Sequence, residues 1–254
     1  MSYLAPYVAC SLGEYLWQVK GQDTIIIYDD LTSHAQVYRE ISLLAGVSPG
    51  RDSYPGDIFY THSSLLERAG RLSSNHKSQT ALPVVLTPGS DITGYLSTNI
   101  MSITDGQIIL DTELFHQGLR PAVSTGLSVS RVGGRGHNAR QKQLAARVMR
   151  AIADYKRADE FSHFGSELAL GVRKDLELGK HLFEVMTQAS NEHYSPMAQQ
   201  LMLEATLDIA PNAIVDIAGM KAVANDVSAK VKNDQDYAKA KDTLTQKAVI
   251  EVRK

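Results

Sequence analysis

The run Thr24-Ile25-Ile26-Ile27-Tyr28-Asp29-Asp30 constrains this chain more than any other segment. Branched side chains lose rotamer freedom against a helical turn but pack well on a pleated surface, so the run predicts a β-strand. No charge interrupts it, which suits a strand buried on both faces of a parallel sheet. Short apolar runs recur at residues 82–86 (LPVVL) and 106–110 (GQIIL). Residues 122–129 form a weaker candidate, diluted by Gly126 and its small polar neighbours. Helical patterns fill the intervals at residues 35–44 and 59–72. This alternation predicts an α/β domain.

The pattern changes at Gly133-Gly134-Arg135-Gly136, a flexible break. Leu144, Val148, Ile152 and Tyr155 then recur at helical spacing and make one apolar stripe. Leu168, Val172, Leu176 and Leu182 suggest a second helix. Ser195-Pro196 reads as a helix start, with serine as N-cap, and Leu201, Leu203 and Leu207 follow. The tail from Asp226 is charged and reads as helical. The expected organisation is therefore one unit over residues 1–133 and a helical one over 134–254.

Composition narrows the function classes. A net charge of −2 gives no support for nucleic acid as a partner, since such domains carry a basic excess. The single cysteine, Cys10, allows no intrachain disulfide and fits a reducing compartment. No run approaches the roughly 18 apolar residues that span a bilayer. The first nine residues lack the basic and apolar segments of a signal peptide.

The acidic end of the first run carries two readings. A strand end with carboxylates is where P-loop NTPases position Mg²⁺. It is also an ordinary strand-to-helix turn in which Asp30 or Thr32 caps the next helix. The companion phosphate loop, G-x-x-x-x-G-K-S/T, does not occur in the sequence. Gly179-Lys180 is followed by His181 inside a helical pattern and cannot cradle phosphate. In a P-loop fold that element precedes the acidic strand, so the chain is expected to begin downstream of it. Arg131 also has two readings. On the glycine-rich exit of Ser128-Val129-Ser130-Arg131 it can reach across a subunit boundary towards phosphate, or it can pair with a local carboxylate. The eight histidines make no H-E-x-x-H or Cys/His motif, and Gly126-Leu127-Ser128-Val129-Ser130 is not a nucleophile elbow. Glu167, Asp175 and Glu177, with Arg173 and Lys174, read as a solvated helix face.

An ordered set of fragments adds to this. Tyr3-Leu4-Ala5-Pro6-Tyr7 comes first, with Leu12-Gly13-Glu14-Tyr15. Ile25 to Leu31, Pro49-Gly50-Arg51 with Tyr54-Pro55-Gly56-Asp57, and Leu65 to Ala69 follow. Thr98-Asn99, Ser102 to Gln107, Thr112 to Phe115, Arg120-Pro121-Ala122, Leu127 to Gly133 and Tyr194 to Met197 complete it. Over residues 3 to 200 the set resembles the alpha subunit of the F-type (rotary) ATP synthase. The Tyr28-Asp29-Asp30 ending and the string Ser128 to Gly133 are alpha-like and favour alpha over the catalytic beta subunit. Ser124 stands where that family has asparagine, Asn191 and His193 where it has glutamines, and Arg135 and His137 where it has small and polar residues.

The resemblance implies the C-terminal part of a RecA-like nucleotide-binding domain, with a mainly parallel sheet, followed by an all-α bundle. It implies ATP or ADP with Mg²⁺ at a non-catalytic site, Asp29 beside the metal through water, and Phe115, Arg120 and Pro121 on the adenine side. It implies that Arg131 is a trans arginine finger for a neighbouring beta subunit, with Ser128 and Ser102 supporting that interface. The segment from Pro49 to Asp57 matches a loop around the central shaft, and an ordinary Pro/Gly turn remains an alternative there. The implied partners are beta subunits in an alternating heterohexamer, the gamma shaft and the peripheral stalk. The implied location is peripheral, on the cytoplasmic face of an energy-transducing membrane, reached only through the complex. Two other readings stand beside this one: a related ring NTPase of the secretion or flagellar class, and a truncated, non-enzymatic chain that binds nucleotide poorly.

Overall fold

A computed structural model describes residues 1–162, 170–210 and 213–252. The chain forms two compact units, Met1–Gln107 and Ile108–Lys254.

The first unit opens with helix α1 (Ala5–Glu14), which runs on into a π-helical turn over Tyr15–Val19. Strand β1 (Thr24–Tyr28) follows, and Asp30 caps helix α2 (Leu31–Leu44) by accepting from the Ser33 N–H at 2.6 Å. Of the two expected cappers, Asp30 takes the role. Thr32 instead accepts the Leu86 N–H through Oγ1 at 2.9 Å. Helix α3 (Ile58–Leu66), strands β2 (Gly70–Arg71) and β3 (Ser78–Pro83), helix α4 (Tyr95–Ile103) and the two residues of β4 (Gly106–Gln107) complete the unit.

Its sheet has the order β1-β3-β2. β1 and β3 are parallel, registered from Thr24 opposite Gln79 to Tyr28 opposite Pro83, and β2 joins antiparallel. The second strand therefore starts four residues before the apolar run at 82–86. That run continues as extended chain, with the Val84 N–H donating to the Tyr28 carbonyl and the Leu31 N–H to the Val84 carbonyl. Cys10, Ile26, Tyr28, Leu31, Leu65, Leu66 and Ile100 form the core. Helices α1, α3 and α4 thus cover one face of β1. The other face carries Ile25 and Ile27, 70% and 65% exposed. The expectation of burial on both faces fails because the helices contributing to that core pack on the Ile26 and Tyr28 side. Gly13 lets α1 approach the sheet: a β-carbon there would lie 2.5 Å from Gln79 Oε1. Arg68 then ties α1 to the end of α3 with a two-pronged bond to Glu14, at 2.7 and 2.5 Å.

The second unit begins with irregular chain. The strand expected over 106–110 shrinks to β4, and Ile108 and Leu110 are exposed. The strand expected over 122–129 is a turn that yields only β5 (Val129–Ser130). Small polar residues satisfy the backbone locally, with the Ser128 N–H donating to the Ser124 carbonyl at 3.0 Å. Between them lies the short helix α5 (Thr112–His116), capped by Asp111.

Helices then dominate: α6 (Ala139–Ser162), α7 (Leu170–Met186), α8 (Pro196–Leu207), α9 (Ile217–Ser228) and α10 (Asp234–Ala248). Leu144, Val148 and Ile152 are buried on one stripe of α6, against Phe183, Met186, Leu203 and Leu207. Leu182 is buried on α7, and Leu168 and Glu167 lie outside the described residues. Ser195 caps α8 by accepting from the Ala198 N–H at 3.1 Å, with Pro196 in the first turn. A second core joins α8, α9 and α10 through Leu201, Met202, Met220 and Leu244. The tail is helical to Ala248 and then becomes a strand, β7 (Val249–Val252). It pairs antiparallel with β6 (Ala213–Val215). Branched Val249, Ile250 and Val252 account for the switch. Among the described residues, no helix is long and apolar enough to cross a membrane.

Candidate functional site

In the first unit, Asp29 follows the last residue of β1 and is exposed, and its peptide bond to Asp30 is cis. The neighbouring Asp30 is engaged in capping α2, through Ser33 N–H and Ser33 Oγ. Among the described residues, no group of three or more His, Cys, Asp or Glu could hold a metal. Mg²⁺ keeps several waters and takes only one or two carboxylates beside substrate phosphates. A single exposed carboxylate at a strand end fits that mode. Ser102 lies in the last turn of α4 and is exposed, with its Oγ donating to the Asn99 carbonyl at 2.7 Å. The segment from Pro49 to Asp57 is a tight turn closed by the Gly50 N–H donating to the Tyr54 carbonyl at 2.7 Å. Arg39 and Arg51 lie over the rings of Tyr54 and Tyr95, at 4.9 and 5.3 Å.

In the second unit, Phe115, Arg120 and Pro121 come together. Phe115 sits near the end of α5, and Gly118, at φ +90°, turns the chain back. The Arg120 guanidinium then stacks 3.5 Å from the centre of the Phe115 ring. Its Nη1 donates to the carbonyls of Phe115 and Leu119, at 2.5 and 3.0 Å. The Arg120–Pro121 peptide is cis, and the Arg120 carbonyl accepts the Gln188 N–H at 2.7 Å. That bond ties the cluster to the loop after α7. There the Gln188 side chain donates to the Glu192 carbonyl, and the Asn225 side chain donates to the His193 carbonyl at 2.7 Å. The Ala189 N–H, with Lys221 nearby, holds the Glu192 carboxyl below the usual carboxylate range. Phe115 and Pro121 are exposed and Arg120 half-buried, so the cluster offers an aromatic edge, a cation and a proline ring to solvent.

The Arg131 loop lies in the same unit. Ser128 Oγ accepts the Ile109 N–H at 3.0 Å, and Ser130 Oγ accepts the Gly133 N–H at 3.3 Å. Arg131 itself is exposed. The two serines noted in the sequence thus brace the backbone on either side of the arginine.

The spacing of residues did not bring out one cluster. His34 and His62, apart in sequence, meet with ring centres 5.7 Å apart and are both buried. Tyr3 stacks on His34 and on Tyr38. Burial pushes the His62 imidazole down to about 4, and the neighbouring His34 adds to the effect. The only hint in the sequence is the spacing of Tyr3 and Tyr7 on one face of a helix start.

A family model for the nucleotide-binding domain of the ATP synthase alpha/beta family matches residues 1–130, about half of the chain. The chain belongs to the ATP synthase alpha/beta family. The model for the family's C-terminal domain matches residues 139–252. The chain is 47% identical over 219 residues to the ATP synthase subunit alpha of Clostridium kluyveri (strain NBRC 12016). It is 48% identical over 219 residues to that of Clostridium botulinum (strain Hall). Each match covers 85% of this chain and 43% of the relative, so the chain spans less than half the length of the curated relatives it matches. Membership of this family gives an α/β nucleotide-binding domain followed by a helical C-terminal domain, in agreement with the two families of elements described above.

Proposed function

We propose that this chain serves as an alpha-type subunit of an ATP synthase catalytic sector and lends Arg131 to a catalytic site on a neighbouring beta subunit. The observation that carries this reading is the Arg131 loop. An exposed arginine follows a turn whose backbone is held on both sides by Ser128 and Ser130. A guanidinium carried on such a loop can stabilise charge on a transferring phosphoryl group. Its planar fork suits phosphate oxygens better than a lysine would. Ser128 acts through the loop and is a positioning residue, and Ser102 supports the same interface.

Asp29 is proposed to position Mg²⁺ through water at the chain's own, non-catalytic nucleotide site. Phe115, Arg120 and Pro121 are proposed to meet the adenine side of that nucleotide. When bound, the metal neutralises phosphate charge, and Asp29 fixes its waters. Beta subunits, the gamma shaft and the peripheral stalk are the proposed partners, and membrane association is proposed to run through them. The proposed domain division is 1–133 and 134–254, supported by the gap between the two family matches at residues 131–138.

The test is Arg131→Ala in the ATP synthase complex carrying this chain. The expected result is a loss of cooperative ATP turnover of about 10³-fold or more, with nucleotide binding nearly intact. Unchanged turnover would overturn the assignment. A second reading, a chain that binds nucleotide poorly and does no chemistry, is favoured by the missing phosphate-loop motif. The purified chain is expected to show no ATP hydrolysis above background, and measurable hydrolysis would contradict that.

A further inference from the structure

From Arg131 to Ala153 the chain carries six arginine and lysine residues and no aspartate or glutamate. Some of these cations are matched elsewhere in the fold: Arg140 pairs with Asp234 at 2.9 Å, and Arg147 with Asp208 at 2.7 Å. Arg135 and Lys142 are exposed and make no ion pair among the described residues. The turn brings the His137 ring and the Lys142 stem against Gly134, the residue before Arg135. Gly133 and Gly134 both adopt positive φ, 63° and 64°, which reverses the chain. The His137 N–H then donates to the Gly134 carbonyl at 3.1 Å. Asn138 and Gln141 exchange side-chain to backbone bonds, both at 2.9 Å, and fix the start of α6 that carries Lys142. A β-carbon on Gly134 would lie 3.4 Å from His137 Nδ1 and 4.0 Å from Lys142 Cε. The imidazole and the lysine stem thus close over one glycine, and Arg135 is the next residue.

Cations gathered without a counter-ion raise the local potential and favour a bound anion. Lysine and arginine bring donors and no acceptors, which suits phosphate oxygens. We propose that the turn at residues 133–142 is a binding site for a phosphate-rich anion, such as pyrophosphate or a phosphomonoester headgroup. It is separate from the role proposed for Arg131 and does not rest on it.

The test titrates pyrophosphate into the full chain at fixed ionic strength, beside an Arg135→Ala/Lys142→Ala double variant. Both substituted side chains are exposed, and an unchanged melting temperature confirms that the variant is folded. The expected result is binding that weakens about tenfold or more in the variant, the loss of one to two charge-assisted contacts. Vesicles of phosphatidylcholine with phosphatidic acid form the second arm. Sedimentation with them that disappears in the variant, without pyrophosphate binding, assigns the same site to a lipid phosphate. An Arg131→Ala chain is expected to keep its pyrophosphate affinity. Binding of neither probe, equal binding by the double variant, or a matching loss in Arg131→Ala would each overturn the proposal.

Discussion

The guanidinium of Arg120 lies 3.5 Å from the centre of the Phe115 ring while its Nη1 donates to the Phe115 carbonyl. One side chain therefore closes the turn that α5 opens, from the ring side and from the backbone side at once. A lysine has a compact charge and cannot both stack and span two carbonyls. Arg120→Ala is expected to cost about 1–2 kcal/mol in urea unfolding, the sum of a partly exposed cation–π contact and its carbonyl bonds. Arg120→Lys should recover less than half of that loss. Full recovery by lysine would show that charge alone matters at this position.

The bond between Glu14 and Arg68 predicts a second loss. Both side chains are about a quarter exposed, at 26% and 27%, and the pairing is two-pronged. The Arg68 bond holds the Glu14 carboxyl below its ordinary value. A carboxyl lowered by folding adds stability above its unfolded value of 4.5, and that stability is lost as pH falls. Glu14→Gln is expected to cost about 1 kcal/mol at pH 7 after allowance for solvent screening. The difference from the parent should shrink as pH falls below 4.5 through the lowered folded value, when both are measured by chemical denaturation.

His62 predicts pH dependence in a different window. Its folded value is about 4, against an ordinary histidine value of 6.5. Between those values the unfolded chain binds the extra proton, so stability is full above pH 6.5 and falls as pH drops towards 4. The expected loss is about 3 kcal/mol across that window. His34, lowered in the same direction by burial, adds to it. Tyr3 and Tyr7 border His34, Tyr38 stacks on Tyr3, and Asp57 accepts from Tyr38 Oη at 2.7 Å. His62→Gln should flatten the stability profile between pH 4 and 6.5. A profile as steep as the parent's would show that His62 is not the group responsible.

Some of this architecture was legible in the residues alone. β1, the Ser195 cap and the stripe of Leu144, Val148 and Ile152 each follow from local chemistry acting over a few residues. β3 was displaced because its position is set by register against β1, a long-range pairing that places polar Gln79 opposite Thr24. The exposure of Ile25 and Ile27 was invisible for the same reason, since a run of isoleucines does not say which face a helix will cover. At the site, Arg120 and Phe115 were read as neighbours through the resemblance. Their stacking needed the αL turn at Gly118, which spacing cannot show. His34 and His62 are 28 positions apart in the sequence, and no short motif links them.

The exposed face of β1 carries its own prediction. Ile25 and Ile27 present branched apolar groups on a strand whose only strand partner among the described residues is β3. An apolar strand with an open edge is a template for further pairing. Ile25→Lys/Ile27→Lys should leave the core face of Ile26 and Tyr28 untouched and lower self-association of the isolated chain. Light scattering against concentration checks this. Equal scattering by the double variant would place the association elsewhere.

Gly179 sets two effects against each other. It lies inside α7, where replacing glycine by alanine ordinarily stabilises by about 1 kcal/mol through helix propensity. Here a β-carbon would fall 2.2 Å from the Tyr155 ring and 2.4 Å from Tyr155 Cβ. That overlap forces α6 and α7 apart at the Tyr155–Phe183 contact, whose ring centres are 5.2 Å apart. Overpacking costs about 1–3 kcal/mol and often more when backbone must shift. The steric effect should win, and Gly179→Ala is expected to lower the melting temperature. Adding Tyr155→Ala removes the ring but not its β-carbon, so rescue should be partial. A melting temperature raised by Gly179→Ala would mean that the two helices are not in the close contact described.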